Sequence, residues 1–173
     1  TIQQINDAPV AENQSVSLTE DSSLAITLLA TDDEGTPLTY TLGTAPLHGT
    51  LSGTAPEVTY TPDLNFNGAD SFTFSASDGV NNSTPGMVSI TVTPVNDAPL
   101  ASDQSLATPE DTPLAISLVA EDVDGDSLSW TVGNPAHGHL NGSPPNLTYS
   151  PDANWYGLDS FTFYVRDGSL SSN

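Results

Sequence analysis

The chain contains no cysteine, and its single basic residue, Arg166, stands against 22 acidic ones. Without cysteine there is no disulfide framework, no thiolate nucleophile and no cysteine zinc site. Without lysine and with one arginine there is no nucleic-acid surface, because phosphate neutralisation needs protein cations. Attachment to anionic lipid is disfavoured for the same reason. No run reaches the roughly 20 apolar residues of a membrane span, so membrane insertion is not expected. No segment carries a helical apolar period long enough to make a helix. Gly-x-Ser-x-Gly, His-Glu-x-x-His and phosphate-cradling loops are absent. One arginine leaves few groups to stabilise a developing anion. An enzyme is therefore not expected.

What the chain does have is acid and repetition. Its 173 residues carry a formal net charge of −21, and 36% of them are hydrophobic. Self-repulsion on this scale destabilises a compact state unless cations offset it. The acids read either as a solvating surface or as cation ligands. A secreted domain without disulfides needs another staple, and metal is the usual one.

One unit is written twice. Asn6-Asp7-Ala8-Pro9 recurs 90 positions later as Asn96-Asp97-Ala98-Pro99, and Leu24-Ala25-Ile26 recurs as Leu114-Ala115-Ile116. After one deletion the offset is 89: Tyr60-Thr61-Pro62-Asp63 matches Tyr149-Ser150-Pro151-Asp152, and Asp70-Ser71-Phe72-Thr73-Phe74 matches Asp159-Ser160-Phe161-Thr162-Phe163. A repeat of this length is the first thing to seek in a sequence. Inside each unit the apolar period is two, as in half-buried strands. Leu24, Ile26, Leu28 and Ala30 share one face, as do Phe72, Phe74 and Ala76, and Val88, Ile90 and Val92. Strands are expected near residues 14–18, 24–30, 37–42, 49–52, 57–61, 70–77 and 87–94. The fold class is all-β: two tandem seven-stranded Greek-key sandwiches of immunoglobulin size. Repeat 1 is expected over 6–95 and repeat 2 over 96–173, with 1–5 ending a preceding repeat's last strand. Repeat 2 reaches Asn173 before any counterpart of Met87 to Pro94, so its last strand is expected to be missing. The unpaired edge is open to a strand from another chain.

Strand direction sorts the acids by pole. If strands alternate down and up, Glu20, Asp21, Asp63 and Asp70 collect at the bottom of repeat 1. Asn96 and Asp97 lie on the connection. Asp122, Asp124, Asp126 and Asp167 collect at the top of repeat 2. Crowded carboxylates raise one another's pKa unless a cation joins them. Calcium, with roughly 6–8 irregular oxygen ligands, suits such a set better than magnesium. Gly125 permits a sharp turn within Asp122-Val123-Asp124-Gly125-Asp126.

These motifs resemble the bacterial cadherin-like tandem repeats of large surface adhesins and secreted proteins. The markers are Val95-Asn96-Asp97-Ala98-Pro99, Pro109-Glu110-Asp111-Thr112-Pro113, Ala120-Glu121-Asp122-Val123-Asp124-Gly125-Asp126 and Ala76-Ser77-Asp78-Gly79, and the likeness covers essentially the whole chain. It implies Ca2+ held between successive repeats by Glu20, Asn96, Asp97, Asp122, Asp124 and Asp167. Asp63 and Asp126 join that set from the pole argument. The chain departs from the family pattern in three places. Tyr60-Thr61-Pro62-Asp63 offers one carboxylate where cadherins have two. Ala98 replaces a second Asn, and Glu34 replaces the second Asp of the repeat 1 loop. Fewer or weaker ions follow from these changes. The resemblance implies a calcium-rigidified extracellular spacer or adhesion segment, secreted or attached to the cell surface, whose partners are neighbouring repeats.

Competing readings remain open. Asp and Asn are ordinary turn residues. His137 and His139 stand two apart, yet repeat 1 has only His48 in the same His-Gly turn, which reads as structural rather than as zinc binding. Phe66 and Trp155 read as a plug under their loop. Trp155 and Tyr156 alternatively form a polysaccharide platform, making the chain a carbohydrate-binding accessory module of a polysaccharide-degrading enzyme. Homophilic adhesion through the open edge of repeat 2, or contact with another cell-surface protein, is a third reading.

Overall fold

Alternating apolar and polar residues give strands with one dry and one wet face, and strands are the regular elements of the described chain. The computed structural model describes residues 5–172. Thr1 to Gln4, expected to belong to a preceding repeat's strand, lie outside the described residues, and Ile5 is exposed and in no strand. Contacts divide the chain into unit 1, residues 1–95, and unit 2, residues 96–173.

Unit 1 holds β1 (Val10–Ala11), β2 (Gln14–Thr19), β3 (Leu24–Thr27), β4 (Ala30–Thr31), β5 (Thr39–Leu42), β6 (Gly49–Thr54), β7 (Glu57–Pro62), β8 (Gly68–Ser77) and β9 (Gly86–Thr93). One sheet runs β2-β9-β8-β5 and the other β3-β7-β6, with β1 and β4 as a small extra pair. The core forms where the two inner faces meet. Ile26, Val58 and Tyr60 come from one sheet, and Phe72, Phe74, Val88, Ile90 and Val92 from the other. β9 is central to its sheet: it pairs antiparallel with β8 and parallel with β2, Gln14 opposite Val88 through Thr19 opposite Thr93. Burying Val88, Ile90 and Val92 contributes about 1.5–3 kcal/mol per side chain.

All seven expected strands of repeat 1 are found, with two differences. The 24–30 stretch divides into β3 and β4, because Leu28 donates its N–H to the Pro56 carbonyl and the Leu29 carbonyl turns to the Glu12 N–H. The chain thereby leaves its β7 partner and pairs with β1. The parallel β2–β9 contact also goes beyond the strand alternation read from the sequence, which orders directions but not neighbours.

Unit 2 holds β10 (Leu100–Ala101), β11 (Leu114–Ser117), β12 (Ala120–Glu121), β13 (Ser129–Val132), β14 (Gly138–Ser143), β15 (Asn146–Pro151) and β16 (Phe163–Arg166). Its sheets are β11-β15-β14, β13-β16 and the small pair β10-β12. Among the described residues no strand corresponds to β9, and the counterparts of β2 and of the first half of β8 are not strands either. A core of Ile116, Leu118 and Leu147 remains, with Phe161, Phe163 and Tyr149 only partly covered.

Candidate metal-binding loops

In unit 2 the chain enters through Asn96-Asp97, and both residues are tied to loops from later in the sequence. Asn96 Nδ2 donates to Asp167 Oδ2 at 2.8 Å and to the Asp97 carbonyl at 3.0 Å. The Asp97 N–H donates to Asp124 Oδ2 at 2.8 Å. Inside the 122–126 loop, Asp122 Oδ1 accepts the N–H groups of Asp124 and Asp126 at 3.1 and 3.0 Å. Gly125 closes this Asx-type turn at a φ of 78°, a conformation that suits glycine. Asp167 Oδ1 accepts the Ser169 and Leu170 N–H groups, both at 2.6 Å. The Asn96 amide, then the Leu170 and Ser169 N–H groups, hold the Asp167 carboxyl below its ordinary range. Six of the eight expected ligands, Asn96, Asp97, Asp122, Asp124, Asp126 and Asp167, thus belong to one hydrogen-bonded group of loops.

Unit 1 builds the same group. Asn6 Nδ2 donates to Asp78 Oδ2 at 2.7 Å, and Asp32 Oδ1 accepts the Thr36 N–H at 2.9 Å. The Asp7 N–H reaches Glu34 Oε2 at 3.3 Å, a longer bond than the one to Asp124. The Asn81 N–H, the Asn6 amide and the Val80 N–H hold the Asp78 carboxyl low.

The two units share one anomaly. Asp32 Oδ2 and Asp122 Oδ2, equivalent in the repeat, are shut off from solvent and accept no hydrogen bond. A buried anionic oxygen without a partner is costly, and a bound cation would remove that cost. The donor set is all oxygen, which suits a hard dication. Among the described residues no three His, Asp or Glu side chains group closely enough to cage an ion. A cation here would therefore also draw on amide and backbone carbonyl oxygens and on water, which calcium accepts within its roughly 6–8 ligands.

Glu20 and Asp63, the other two expected ligands, lie in unit 1. Glu20 is buried, with Oε1 accepting the Val95 N–H at 2.6 Å and Oε2 at 3.5 Å from Asn67 Nδ2. Its carboxylate thus clasps the chain just beyond β9, a structural use that motif reading missed. Asp63 is exposed, and its backbone starts a turn: its N–H donates to the His48 carbonyl at 2.9 Å, and its carbonyl accepts the Phe66 N–H at 3.1 Å.

Asp70, expected among the bottom acids, is bonded within the fold. It is buried, and it accepts N–H groups of Leu47, His48 and Ser71 at 2.9, 3.0 and 2.8 Å and the Tyr60 hydroxyl at 2.9 Å. Burial works to raise its pKa, but the four donors outweigh it and hold the carboxyl below the ordinary range. Asp159 repeats the arrangement with Ala136, His137, Ser160 and Tyr149. Burial, then the Asp159 carboxylate, pushes the Tyr149 hydroxyl up to about 12. The signal for this network was present: Tyr and Asp recur together, 10 residues apart in both repeats.

His48 and His137 are packing groups, while His139 is exposed. His48 stacks on Phe66 at 4.4 Å between ring centroids, and His137 on Trp155 at 3.5 Å. The Trp155 ring is therefore engaged by His137, while neighbouring Tyr156 is 84% exposed. Tyr40 and Trp130 are half-buried and stack on Phe74 and Phe163.

Two sheets with an inner core, written twice and joined head to tail in sequence, define tandem immunoglobulin-like sandwiches. The bacterial Ig domain family matches residues 6–91 and again 96–173, and the chain belongs to that family, a non-catalytic module type. No curated protein sequence matches it significantly. Among solved structures it is similar to human protocadherin-24 EC1-2, with 15% identity, a TM-score of 0.55 and 97% of each chain covered. It is also similar to the protocadherin gammaB4 extracellular domain, with 21% identity and a TM-score of 0.56 over 99% of this chain and 32% of that one. A match to an endo-fucoidan hydrolase of glycoside hydrolase family 107 has 23% identity and a TM-score of 0.44, and the chain spans 27% of that protein's length. The two protocadherin likenesses show the fold alone. Among the described residues no helix is long and apolar enough to cross a membrane.

Proposed function

We propose that this chain is a calcium-binding, extracellular tandem-repeat module that serves as a calcium-rigidified spacer or adhesion segment in a larger bacterial surface or secreted protein. The observation that carries the calcium reading is the solvent-excluded, unbonded carboxylate oxygen at the same position of both repeats, Asp32 Oδ2 and Asp122 Oδ2. In unit 2 the ion would be held by oxygens drawn from Asn96, Asp97, Asp122, Asp124, Asp126 and Asp167. When bound it would supply the positive charge that this set lacks. The chain's own part is to fix the donors: backbone N–H groups orient Asp122 and Asp167, and Asn96 ties the segment that enters unit 2 to the Asp167 loop. Glu20, from the resemblance, and Asp63, from strand direction, keep their ligand roles as a separate part of the proposal, read by Asp63→Asn and by Glu20→Gln, which keeps a side-chain acceptor for the Val95 N–H. Extracellular placement and neighbouring repeats as partners follow from the family's character.

An ion bound only by the folded state stabilises it by mass action. Isothermal titration of calcium into the whole chain, beside Asp122→Ala and the Asp32→Ala, Asp122→Ala pair, tests the site. Calcium-specific binding is expected, weakened at least about tenfold by Asp122→Ala, about what losing one charged ligand costs. Equal heats for calcium and magnesium, or no effect of either variant, would overturn the reading. Small-angle scattering with and without calcium tests the mechanical half: a profile that calcium leaves unchanged removes the spacer role while leaving the ion site standing.

A further inference from the structure

The chain contains two Asn-Gly pairs, Asn67-Gly68 and Asn141-Gly142. Such a pair can rearrange by itself, because glycine puts no Cβ beside the nitrogen that attacks the asparagine amide. The attacking species is the deprotonated backbone amide of the glycine. Whether that amide is free or tied into a ladder therefore decides which pair reacts. The fold treats the two pairs oppositely.

Gly142 belongs to β14, an edge strand of the sheet β11-β15-β14. Bonded and non-bonded pairs alternate along an antiparallel ladder. The Asp152 N–H bonds the His137 carbonyl, so Asn141, an even step along the strand, faces Thr148 as a bonded pair, and Gly142 opposite Leu147 does not. The Gly142 N–H accordingly points out from the sheet edge, and both Asn141 and Gly142 are exposed. The glycine itself is required: its φ is 107°, and a Cβ would come within 2.7 Å of the Asn146 carbonyl oxygen. The asparagine is not required, since Ser52-Gly53 fills the same place in unit 1. Turning the Asn141–Gly142 peptide toward the Asn141 side chain breaks one bond, from the Thr148 N–H to the Asn141 carbonyl. That bond lies near the closed end of the hairpin, where Ser143 faces Asn146.

Gly68 is held. Thr73 bonds Thr44 and Gly43 through its N–H and carbonyl, on the β5 side of β8. Gly68, an odd step away, therefore turns its N–H to Val92 of β9. The side-chain amide of Asn67 also lies 3.5 Å from Glu20 Oε2. That carboxylate opposes the negative charge that gathers on the amide oxygen during attack.

We propose that Asn141 is a self-modification site, at which unit 2 deamidates without an enzyme or cofactor. The Gly142 nitrogen gives its proton to solvent and bonds Asn141 Cγ. The side-chain nitrogen takes up a proton and leaves as ammonia, and a cyclic succinimide remains. Water then opens the ring at either carbonyl. One product is aspartate at position 141. The other is isoaspartate, in which the main chain runs through the former side chain and is longer by a methylene. Either product adds a negative charge, and the second shifts Gly142 and Ser143 out of register with β15.

Peptide mapping by mass spectrometry, on the whole chain aged in mildly alkaline buffer, tests the proposal. Asn141 is expected to deamidate at least about tenfold faster than Asn67, whose glycine amide must first leave its ladder. In denaturing urea the two should react at similar rates, because each pair follows a bulky apolar residue, Phe66 or Leu140. Asn141→Ser, which installs the unit 1 residue, should remove the faster of the two mass changes. Equal rates in the folded chain, faster loss at Asn67, or a preference for Asn141 that urea leaves intact would each overturn the proposal.

Discussion

Asp70 and Asp122 are both partly or fully removed from water, yet their surroundings are of opposite kinds. Asp70 has four hydrogen-bond donors, so its negative charge is already satisfied by the fold. Asp122 satisfies Oδ1 with two N–H groups and leaves Oδ2 buried without a hydrogen bond. The first pattern is satisfied within the fold, and the second is the one that the proposed ion would satisfy. The distinction has a pH signature. A carboxyl whose folded pKa lies below its unfolded value, near about 3.9, contributes stability that is present above that value and is lost as pH falls through the folded pKa. Asp70 is such a carboxyl. The stability gap between the wild type and Asp70→Asn should therefore narrow below about pH 4. Thermal melts of both proteins at about pH 6 and about pH 3 check this. A gap that stays constant would mean that Asp70 acts through shape and not through charge. Sequence reading could place both residues near loops, but not tell them apart, because Asp serves turns, buried networks and cations with one side chain.

At the scale of elements, β9 is the strand that closes the unit 1 sandwich. Its three inward aliphatics close the unit 1 core, and its backbone gives β2 and β8 their partner. Ile90→Ala, at a position 1% exposed, should cost about 2–5 kcal/mol, read as a lower melting temperature. A melt left unchanged would contradict this closing role of β9. The period-two pattern made the strands legible almost to the residue, since Phe72, Phe74 and Ala76 alternate without interruption. It could not show the break between β3 and β4, because Leu28 and Ala30 continue the alternation while the hydrogen-bond partner changes. It did not show the Glu20 clasp either, since a buried acid bonded to the distant Val95 N–H leaves no local pattern.

At the scale of the whole molecule the governing quantity is a net charge of −21 with a single basic residue. Self-repulsion of this size opposes compactness, and the chain cannot relieve it from within. Both repeats nonetheless concentrate Asn and Asp in one group of loops, at positions the internal repeat made visible in the sequence. The hydrogen bonds that hold those loops were not visible there, because they join residues about 70 positions apart, such as Asn96 and Asp167. The measurement that bears most directly on the central claim is the thermal melt of the chain in EDTA, in millimolar calcium and in millimolar magnesium, with Asp122→Ala alongside. An ion present at about a hundred times its Kd adds about 2.7 kcal/mol, which raises the melting temperature of a domain this size by on the order of 10 °C. The account predicts a rise of that order with calcium, little with magnesium, and a clearly smaller rise in the variant. Equal rises with both ions and in the variant would mean that the carboxylates only screen and solvate, and would contradict the claim that these loops form a calcium site.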